Sequence, residues 1–286
     1  MSKDPKGFIW FNGNMVPWAD AKVHVLSHAL HYGSSVFEGI RVYETPSGSR
    51  VFRLRDHMTR MYNSARLYRI GIPYDQPTLE AACRQAVVAN GLDRGAYLRP
   101  IAFRGMAGRG LAAPADSPVD VAIAAIEWGA YLGEDGLKNG VDVCVSSWQR
   151  VAPNTIPSGA KAGGTYLSSQ LISMEAKRNG FAEGIGLTTD GTVGEGAGEN
   201  LFVVKDGRLM TPPAASSILA GITRDTLIRL AHAMGYEVRE PPLSREALYT
   251  ADELFFTGTA AEITPIRSVD DLDIGCGSRG PITKRI

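Results

Sequence analysis

Asn-Gly and Asp-Gly turn dipeptides punctuate this chain, among them Asn12-Gly13, Asn90-Gly91, Asn179-Gly180, Asp190-Gly191 and Asp206-Gly207. Asn, Asp and Gly tolerate the positive φ that a tight hairpin or a helix stop demands. The flanks separate the two uses. Phe8-Ile9-Trp10-Phe11 and Met15-Val16 surround Asn12-Gly13 and predict a hairpin; two more are predicted around Asp190-Gly191 and Asp206-Gly207. Asn90-Gly91 and Asn179-Gly180 follow stretches with helical spacing and read as stops. Hairpins with interspersed helices, and no regular βαβ alternation, predict an α+β chain with mixed, largely antiparallel sheets. They argue against a doubly wound fold.

The rest of the chain fits that frame. Ile40 to Tyr43 and Val51-Phe52 flank Thr45-Pro46-Ser47-Gly48, a further turn. Leu54, Met58, Met61, Ala65 and Tyr68 lie along one helical face, and Thr78 is placed to cap a second helix. Residues 96–103 and 119–126 read as buried strands, and Val141, Val143 and Val145 alternate as a third. A helix is predicted over 165–178 with Leu167, Leu171 and Met174 inward. Another spans 223–234 and stops at Gly235, and a short strand spans 253–257. Residues 128–136 hold two aromatics, three glycines and no period, which predicts a linker between residues 1–127 and 137–286.

Composition narrows the function classes. Thirty basic residues balance thirty acidic ones, so nothing acts through bulk charge on nucleic acid or a membrane surface. No apolar run approaches the roughly 20 residues of a bilayer span. The polar start, Met1 to Gly7, has no signal-peptide pattern. Cys83, Cys144 and Cys276 are odd in number and far apart, and read as reduced thiols in the cytoplasm.

Six stretches carry candidate chemistry. His24, His28 and His31 have helical spacing, but no Cys or carboxylate in that segment completes a ligand set; they read as structural, and no metal is expected. Arg50, Arg53, Arg55, Arg60, Arg66 and Arg69 mostly read as a solvated face, from which one guanidinium can turn inward to an anion. Lys161, in Ser158-Gly159-Ala160-Lys161-Ala162-Gly163-Gly164, sits among small uncharged residues. Burial there would lower its pKa toward an amine able to condense with a carbonyl, whereas a solvated loop lysine would do neither. Tyr166 follows with a phenol. Gly194 to Asn200 is glycine-rich like a dinucleotide loop but has strand-like flanks, so it reads as a bulged turn or as a close approach to a flat ligand with Glu195 facing a ring nitrogen. Leu219 to Thr223 precedes a helix and can cradle an anion, with Thr223 an alternative N-cap; Thr257 to Glu262 is a second small-residue turn. Together these are the parts of a pyridoxal-phosphate enzyme.

The segments His24 to Arg41, Ser146 to Gly164, Glu195 to Phe202, Gly221 to Asp225 and Phe256 to Pro265 jointly resemble the class IV, fold-type IV pyridoxal-phosphate aminotransferases, on the branch that acts on branched-chain amino acids. The resemblance runs nearly end to end. It implies two domains, a small N-terminal α/β domain over 1–127 and a large cofactor-binding domain over 137–286, with the cofactor pyridoxal 5′-phosphate. Lys161 is implied as the catalytic lysine that holds the cofactor, Glu195 as the partner of the ring nitrogen, and Tyr166 as the partner of the ring hydroxyl. Arg60 is implied as the phosphate arginine, with Leu219, Ile222, Thr223 and Thr259 in the phosphate cup. For substrate, it implies Phe37, Trp128 and Tyr131 around the side chain, with Tyr32 and Leu111 reaching in from a partner subunit. Tyr97, Thr259 and Ala260 would lie near the α-carboxylate, Arg99 at a distal carboxylate, and Arg41 at the rim.

The implied reaction is ping-pong transamination of L-leucine, L-isoleucine or L-valine with 2-oxoglutarate, through pyridoxamine phosphate. The products are branched-chain 2-oxo acids and L-glutamate. The implied partners are these amino acids and 2-oxo acids, and a second copy of the chain, with a hexamer built from dimers as the larger alternative. Two related activities share the lysine, arginine and glutamate: D-amino acid transamination and aminodeoxychorismate cleavage. A phosphate- or nucleotide-binding protein without catalysis is the rival of another class. The resemblance also implies a C-terminal helix beyond Thr283-Lys284-Arg285, so the charge balance is that of the part in view.

Overall fold

The computed structural model describes residues 7–92, 95–106 and 110–286; residues 1–6 of the polar start lie outside the described residues. The chain divides into two units. One comprises Met1–Gly129 with Ala160–Gly164, the other Ala130–Gly159 with Thr165–Ile286.

The first unit is one antiparallel sheet with helices. Its strands are β1 (Phe8–Phe11), β2 (Asn14–Pro17), β3 (Ser35–Phe37), β4 (Ile40–Tyr43), β5 (Arg50–Val51), β6 (Ala96–Arg104) and β7 (Val119–Glu127). They run in the order β2-β1-β7-β6-β4-β5, and β3 also pairs with β6. Asn12 (φ 45°) and Gly13 (φ 92°) make the β1–β2 turn, as their residue types predict. The helices are α1 (His28–Tyr32), α2 (Leu54–Leu67) and α3 (Gln76–Ala89). In α2 the expected stripe is buried: Leu54, Met58, Met61 and Ala65 join Leu79, Cys83 and Ala86 of α3 and Val42, Leu98 and Ile123 of the sheet. Each large side chain so buried contributes about 1.5–3 kcal/mol. Asp75, not Thr78, caps α3. Its carboxylate accepts the Thr78 N–H at 2.9 Å, and Pro77 in the first turn has no N–H to satisfy.

The second unit is built on a mixed sheet. Its strands are β8 (Val141–Val145), β9 (Glu183–Leu187), β10 (Val193–Gly196), β11 (Asn200–Lys205), β12 (Arg208–Met210), β13 (Val238–Arg239), β14 (Glu253–Gly258), β15 (Glu262–Val269) and β16 (Leu272–Asp273). The order is β10-β9-β8-β15-β14-β11-β12-β13, with β16 on β15. The pairs β8–β9, β8–β15 and β12–β13 are parallel and the others antiparallel. The α+β class with mixed, largely antiparallel sheets is therefore as the sequence predicts. Side chains alternate between two cores: Leu201, Val203, Leu254 and Phe256 on one, Phe202, Val204 and Phe255 on the other. Burial of both faces is why these strands read as continuous apolar runs.

The helices of this unit are α4 (Glu134–Asn139), α5 (Tyr166–Arg178), α6 (Ile222–Ala233), α7 (Glu246–Tyr249) and α8 (Pro281–Arg285). α4 starts within the segment read as irregular, where Glu134 and Asp135 favour a helix N-terminus. α5 is turned opposite to expectation. Leu167 and Met174 are 63% and 64% exposed, while Ser169, Ile172 and Ala176 are buried. The inward face is chosen by fit. Gly184 and Gly186 of β9 make room for Ile172, which a Cβ at either position would meet at 2.8 Å. Leu227 and Ala231 of α6 pack on the core that holds Phe202 and Phe255. Among the described residues no helix is long and apolar enough to cross a membrane.

Candidate active site

In the first unit, Lys161 lies on a short segment that runs beside β3. Val36 and Ala162 form an isolated antiparallel bridge, and the Phe37 N–H donates to the Lys161 carbonyl at 3.0 Å. The Lys161 N–H donates to Ser64 Oγ of α2 at 3.0 Å. Ala160 and Ala162 are buried in the core, which pins the backbone on either side of the lysine. Lys161 itself is half-buried, with Nζ 5.0 Å from the Phe37 ring centroid. The site thus presents a primary amine on a fixed backbone, a group able to condense with a carbonyl.

Arg60 is the inward-turned arginine of the α2 series. Its Nε donates to Glu38 Oε1 and its Nη2 to Glu38 Oε2, both at 2.7 Å. Glu38 is fully buried in the β3–β4 connection and also meets His57 Nδ1 at 2.7 Å. Burial would raise the Glu38 pKa, but the Arg60 charge and the bonds from Arg60 and His57 outweigh it and bring it down to about 2. Burial lowers the His57 pKa, with Glu38 opposing and Arg60 and Lys161 adding to the fall. His57 is therefore neutral near pH 7 and donates through Nδ1.

Phe37, Tyr97, Arg99 and Trp128 come together in the same unit. The Arg99 guanidinium carbon lies 5.0 Å from the Phe37 ring centroid and 5.2 Å from that of Tyr97. Arg99 Nη2 donates to the Tyr97 hydroxyl at 3.2 Å, and its buried Nε meets no acceptor among the described residues. Tyr97 stacks on Trp128 with centroids 4.5 Å apart. Gly39 makes room for this cluster: a Cβ there would overlap the Tyr97 hydroxyl. Arg41 is buried and donates to the Gly129 carbonyl at 3.2 Å. Tyr32 and Leu111 lie elsewhere, about His28. The His28 ring is 4.6 Å from that of Tyr32, and His28 Nε2 is 3.0 Å from the Leu111 carbonyl oxygen. Both are exposed. The three histidines do not share a helical face, because α1 begins at His28 and His24 precedes it.

In the second unit, Glu195 is buried on β10. Arg150 Nη2 donates to Oε1 at 2.6 Å, while Asn200 Nδ2 and the Leu219 N–H donate to Oε2 at 2.9 and 3.1 Å. Arg150 also donates to Ser169 Oγ at 3.1 Å. Gly194 admits the arginine, since a Cβ there would meet its Cγ at 3.0 Å and the Gly186 carbonyl at 2.8 Å. Within Gly194 to Asn200, Gly194 is a bulge in β10, whose register on β9 shifts between Val193 and Glu195, and residues 197–199 connect β10 to β11. Ile222 and Thr223 are the first two residues of the 12-residue α6, whose N-cap is Gly221, not Thr223. The helix thus offers backbone N–H groups and the positive end of its dipole to an anion. Thr259 and Ala260 form the turn after β14, beside Thr257, whose buried hydroxyl has no partner among the described residues. Tyr166 opens α5 and is half-buried, and Tyr131 is exposed.

Sequence reading missed Glu38, His57, Arg150 and Asn200. For Glu38 the available signal was a charge between apolar residues, Val36-Phe37 before it and Ile40 after Gly39; Arg150, after Ser-Ser-Trp-Gln, carried no such signal. Such charges are almost never buried unless paired.

The sequence model of the Amino-transferase class IV family matches residues 35–269, which include Arg60, Lys161 and Glu195. The chain belongs to this family and is an enzyme, an aminotransferase. It is 57% identical over 286 residues to the branched-chain-amino-acid aminotransferase of Escherichia coli (strain K12), and the match covers 100% of this chain and 92% of that one. A crystal structure of the Escherichia coli branched-chain amino acid aminotransferase is 58% identical, with a TM-score of 0.97, and covers 98% of this chain and 92% of that one. The branched-chain aminotransferase of the archaeon Thermoproteus uzoniensis, solved with norvaline, is 43% identical, with a TM-score of 0.93, and covers 98% and 92%. A further branched-chain amino acid aminotransferase, complexed with N-(5′-phosphopyridoxyl)-L-glutamate, is 46% identical, with a TM-score of 0.92, and covers 98% and 91%.

Proposed function

We propose that this enzyme transfers the amine of L-leucine, L-isoleucine or L-valine to 2-oxoglutarate, in two half-reactions with pyridoxal 5′-phosphate as the amine carrier. The observation that carries this reading is the fixed Lys161 amine on a backbone bonded to Phe37 and Ser64, in a chain so similar to branched-chain enzymes. The glutamate in the phosphopyridoxyl-glutamate complex of the related enzyme supports the second substrate.

The residues fit the cofactor. Each unit, taken by itself, offers a group suited to a dianionic phosphate: the Arg60 guanidinium in the first, and in the second the α6 N-terminus and the Thr257 hydroxyl, which has no partner among the described residues. When bound, pyridoxal 5′-phosphate supplies a carbonyl for the amine and a ring that spreads the charge left at the substrate Cα. Lys161 would hold the carbonyl and, once displaced, act as the base that moves the Cα proton. Glu195, held by Arg150, Asn200 and the Leu219 N–H, would keep a proton on the ring nitrogen. Tyr166 would bond the ring hydroxyl, and Ile222, Thr223 and Thr259 the phosphate.

For substrate, we assign Phe37, Trp128 and Tyr131 to the aliphatic side chain, and Tyr97, Thr259 and Ala260 to the α-carboxylate. Arg99 is assigned to the distal carboxylate of glutamate. Its contact with Tyr97 and the Phe37 ring keeps a cation beside apolar surface, as one pocket for two side-chain types requires. Arg41, tied to the Gly129 carbonyl, is assigned to the rim. Tyr32 and Leu111 are assigned to the neighbouring subunit's pocket in a homodimer. The support is the run of exposed apolar side chains Val23, Val25, Leu26, Leu30 and Tyr32. A cytoplasmic setting rests on composition and on the free thiols Cys83, Cys144 and Cys276.

Single half-reactions followed by absorbance test this reading. L-leucine and L-glutamate should each convert the cofactor to its amine form, and D-alanine should not. Conversion by D-alanine alone would overturn the substrate assignment.

A further inference from the structure

We propose that Glu38 is a positioning residue that aims the Arg60 guanidinium at the cofactor phosphate, and that His57 locks Glu38 in place. This rests on the reading above that Arg60 meets that phosphate. Four observations carry it.

Glu38 has no freedom of its own. It is fully buried, and its N–H donates to the Pro100 carbonyl at 2.9 Å. The Arg60 contact is a two-point fork through Nε and Nη2, which fixes the plane of the guanidinium as well as its position. A lysine, or an arginine held at one point, would lack that orientation. His57 Nδ1 takes a second site on Oε2, so the carboxylate cannot rotate away. Its own Nε2 is buried without a partner among the described residues. Finally, His57, Arg60 and Ser64 are spaced by three and four residues along α2 and so share one face. Ser64 anchors the Lys161 backbone. One helix face thus sets both the arginine and the catalytic lysine.

Charge alone predicts the opposite of what we infer. Glu38 neutralises Arg60, which weakens attraction to a dianion. If attraction were all that mattered, removing the carboxylate charge would tighten cofactor binding. If orientation matters, removing it loosens binding although the site gains positive charge.

The test compares wild-type, Glu38→Gln, His57→Gln and Arg60→Gln holoenzymes. Cofactor release is measured by equilibrium dialysis against pyridoxal 5′-phosphate, and the phosphate environment by 31P NMR. Glu38→Gln should weaken binding about 10- to 100-fold, the size of loss seen when a metal ligand loses the partner that orients it, and move the 31P line toward that of free cofactor. His57→Gln should move both the same way by less. It also carries the test if Glu38→Gln does not fold, because it keeps the Glu38–Arg60 pair. Unchanged or tighter binding in Glu38→Gln, or an unchanged line and affinity in His57→Gln, with Arg60→Gln still impaired, overturns this inference and leaves the Arg60 assignment standing. Unchanged binding in Arg60→Gln overturns the assignment on which it rests.

Discussion

Arg150 donates to Glu195 across 2.6 Å, 45 residues apart in sequence, and both side chains are buried. Neither charge is tolerable there without the other. Arg150→Met should therefore cost about 3–5 kcal/mol, the usual penalty of one uncompensated buried charge. Glu195→Gln added to it should recover part of that loss. Chemical denaturation of the two single variants and the double variant checks this; strictly additive losses would show that the pair is not coupled.

Acid should destabilise the protein through Glu38 and His57. The folded Glu38 pKa is about 2, against an ordinary value of 4.5. The unfolded chain therefore takes up this proton first as pH falls, and stability is lost between about pH 5 and pH 2, by about 3 kcal/mol in all. His57 is also lowered, from 6.5, so its contribution is lost as pH falls below that value. Denaturation at pH 7, 5 and 3 should show a steeper acid loss in wild type than in Glu38→Gln. Equal slopes would refute the pairing as the cause.

Arg99→Leu should separate the two substrates. The guanidinium is assigned only to the distal carboxylate, so the glutamate half-reaction should slow about 10- to 100-fold, as one lost charged hydrogen bond would give. The leucine half-reaction should stay within about threefold, since the apolar contacts remain. Equal losses in both would place Arg99 at the shared α-carboxylate instead.

Gly39→Ala should cost about 1–3 kcal/mol by overpacking, because the added methyl meets the Tyr97 hydroxyl. The stack of Tyr97 on Trp128 should shift with it. Thermal denaturation and tryptophan fluorescence report the two effects. A variant with wild-type stability and fluorescence would mean that Tyr97 has room to move.

What was legible in the sequence was local. Asn12-Gly13 and Asp206-Gly207 adopt the positive φ angles their types allow, and the hairpins follow. The stripe of α2 also matched its burial, because its neighbours are large apolar side chains. The stripe of α5 did not. Leu167, Leu171 and Met174 face outward, while Ile172 and Ala176 pack on β9 where Gly184 and Gly186 leave room for them, a fit between separate segments that the helix's own pattern does not report. Within the candidate site, Lys161 and Glu195 could be singled out by residue type, whereas Arg60 was one of six arginines until the resemblance chose it; the roles of all three came from resemblance. Their supports, Glu38, His57 and Arg150, were hidden because each partner lies 19 to 45 residues away in sequence. Such pairings belong to the fold, not to any local pattern.

Every role assigned around the cofactor depends on Lys161 being the residue that holds it. Borohydride reduction of the holoenzyme, followed by proteolysis and mass spectrometry, tests that assignment without relying on turnover. We predict loss of the yellow absorbance and a phosphopyridoxyl mass on the peptide containing Lys161, absent from Lys161→Ala. A stable label on another lysine, or no label on a protein that retains bound cofactor, would refute it.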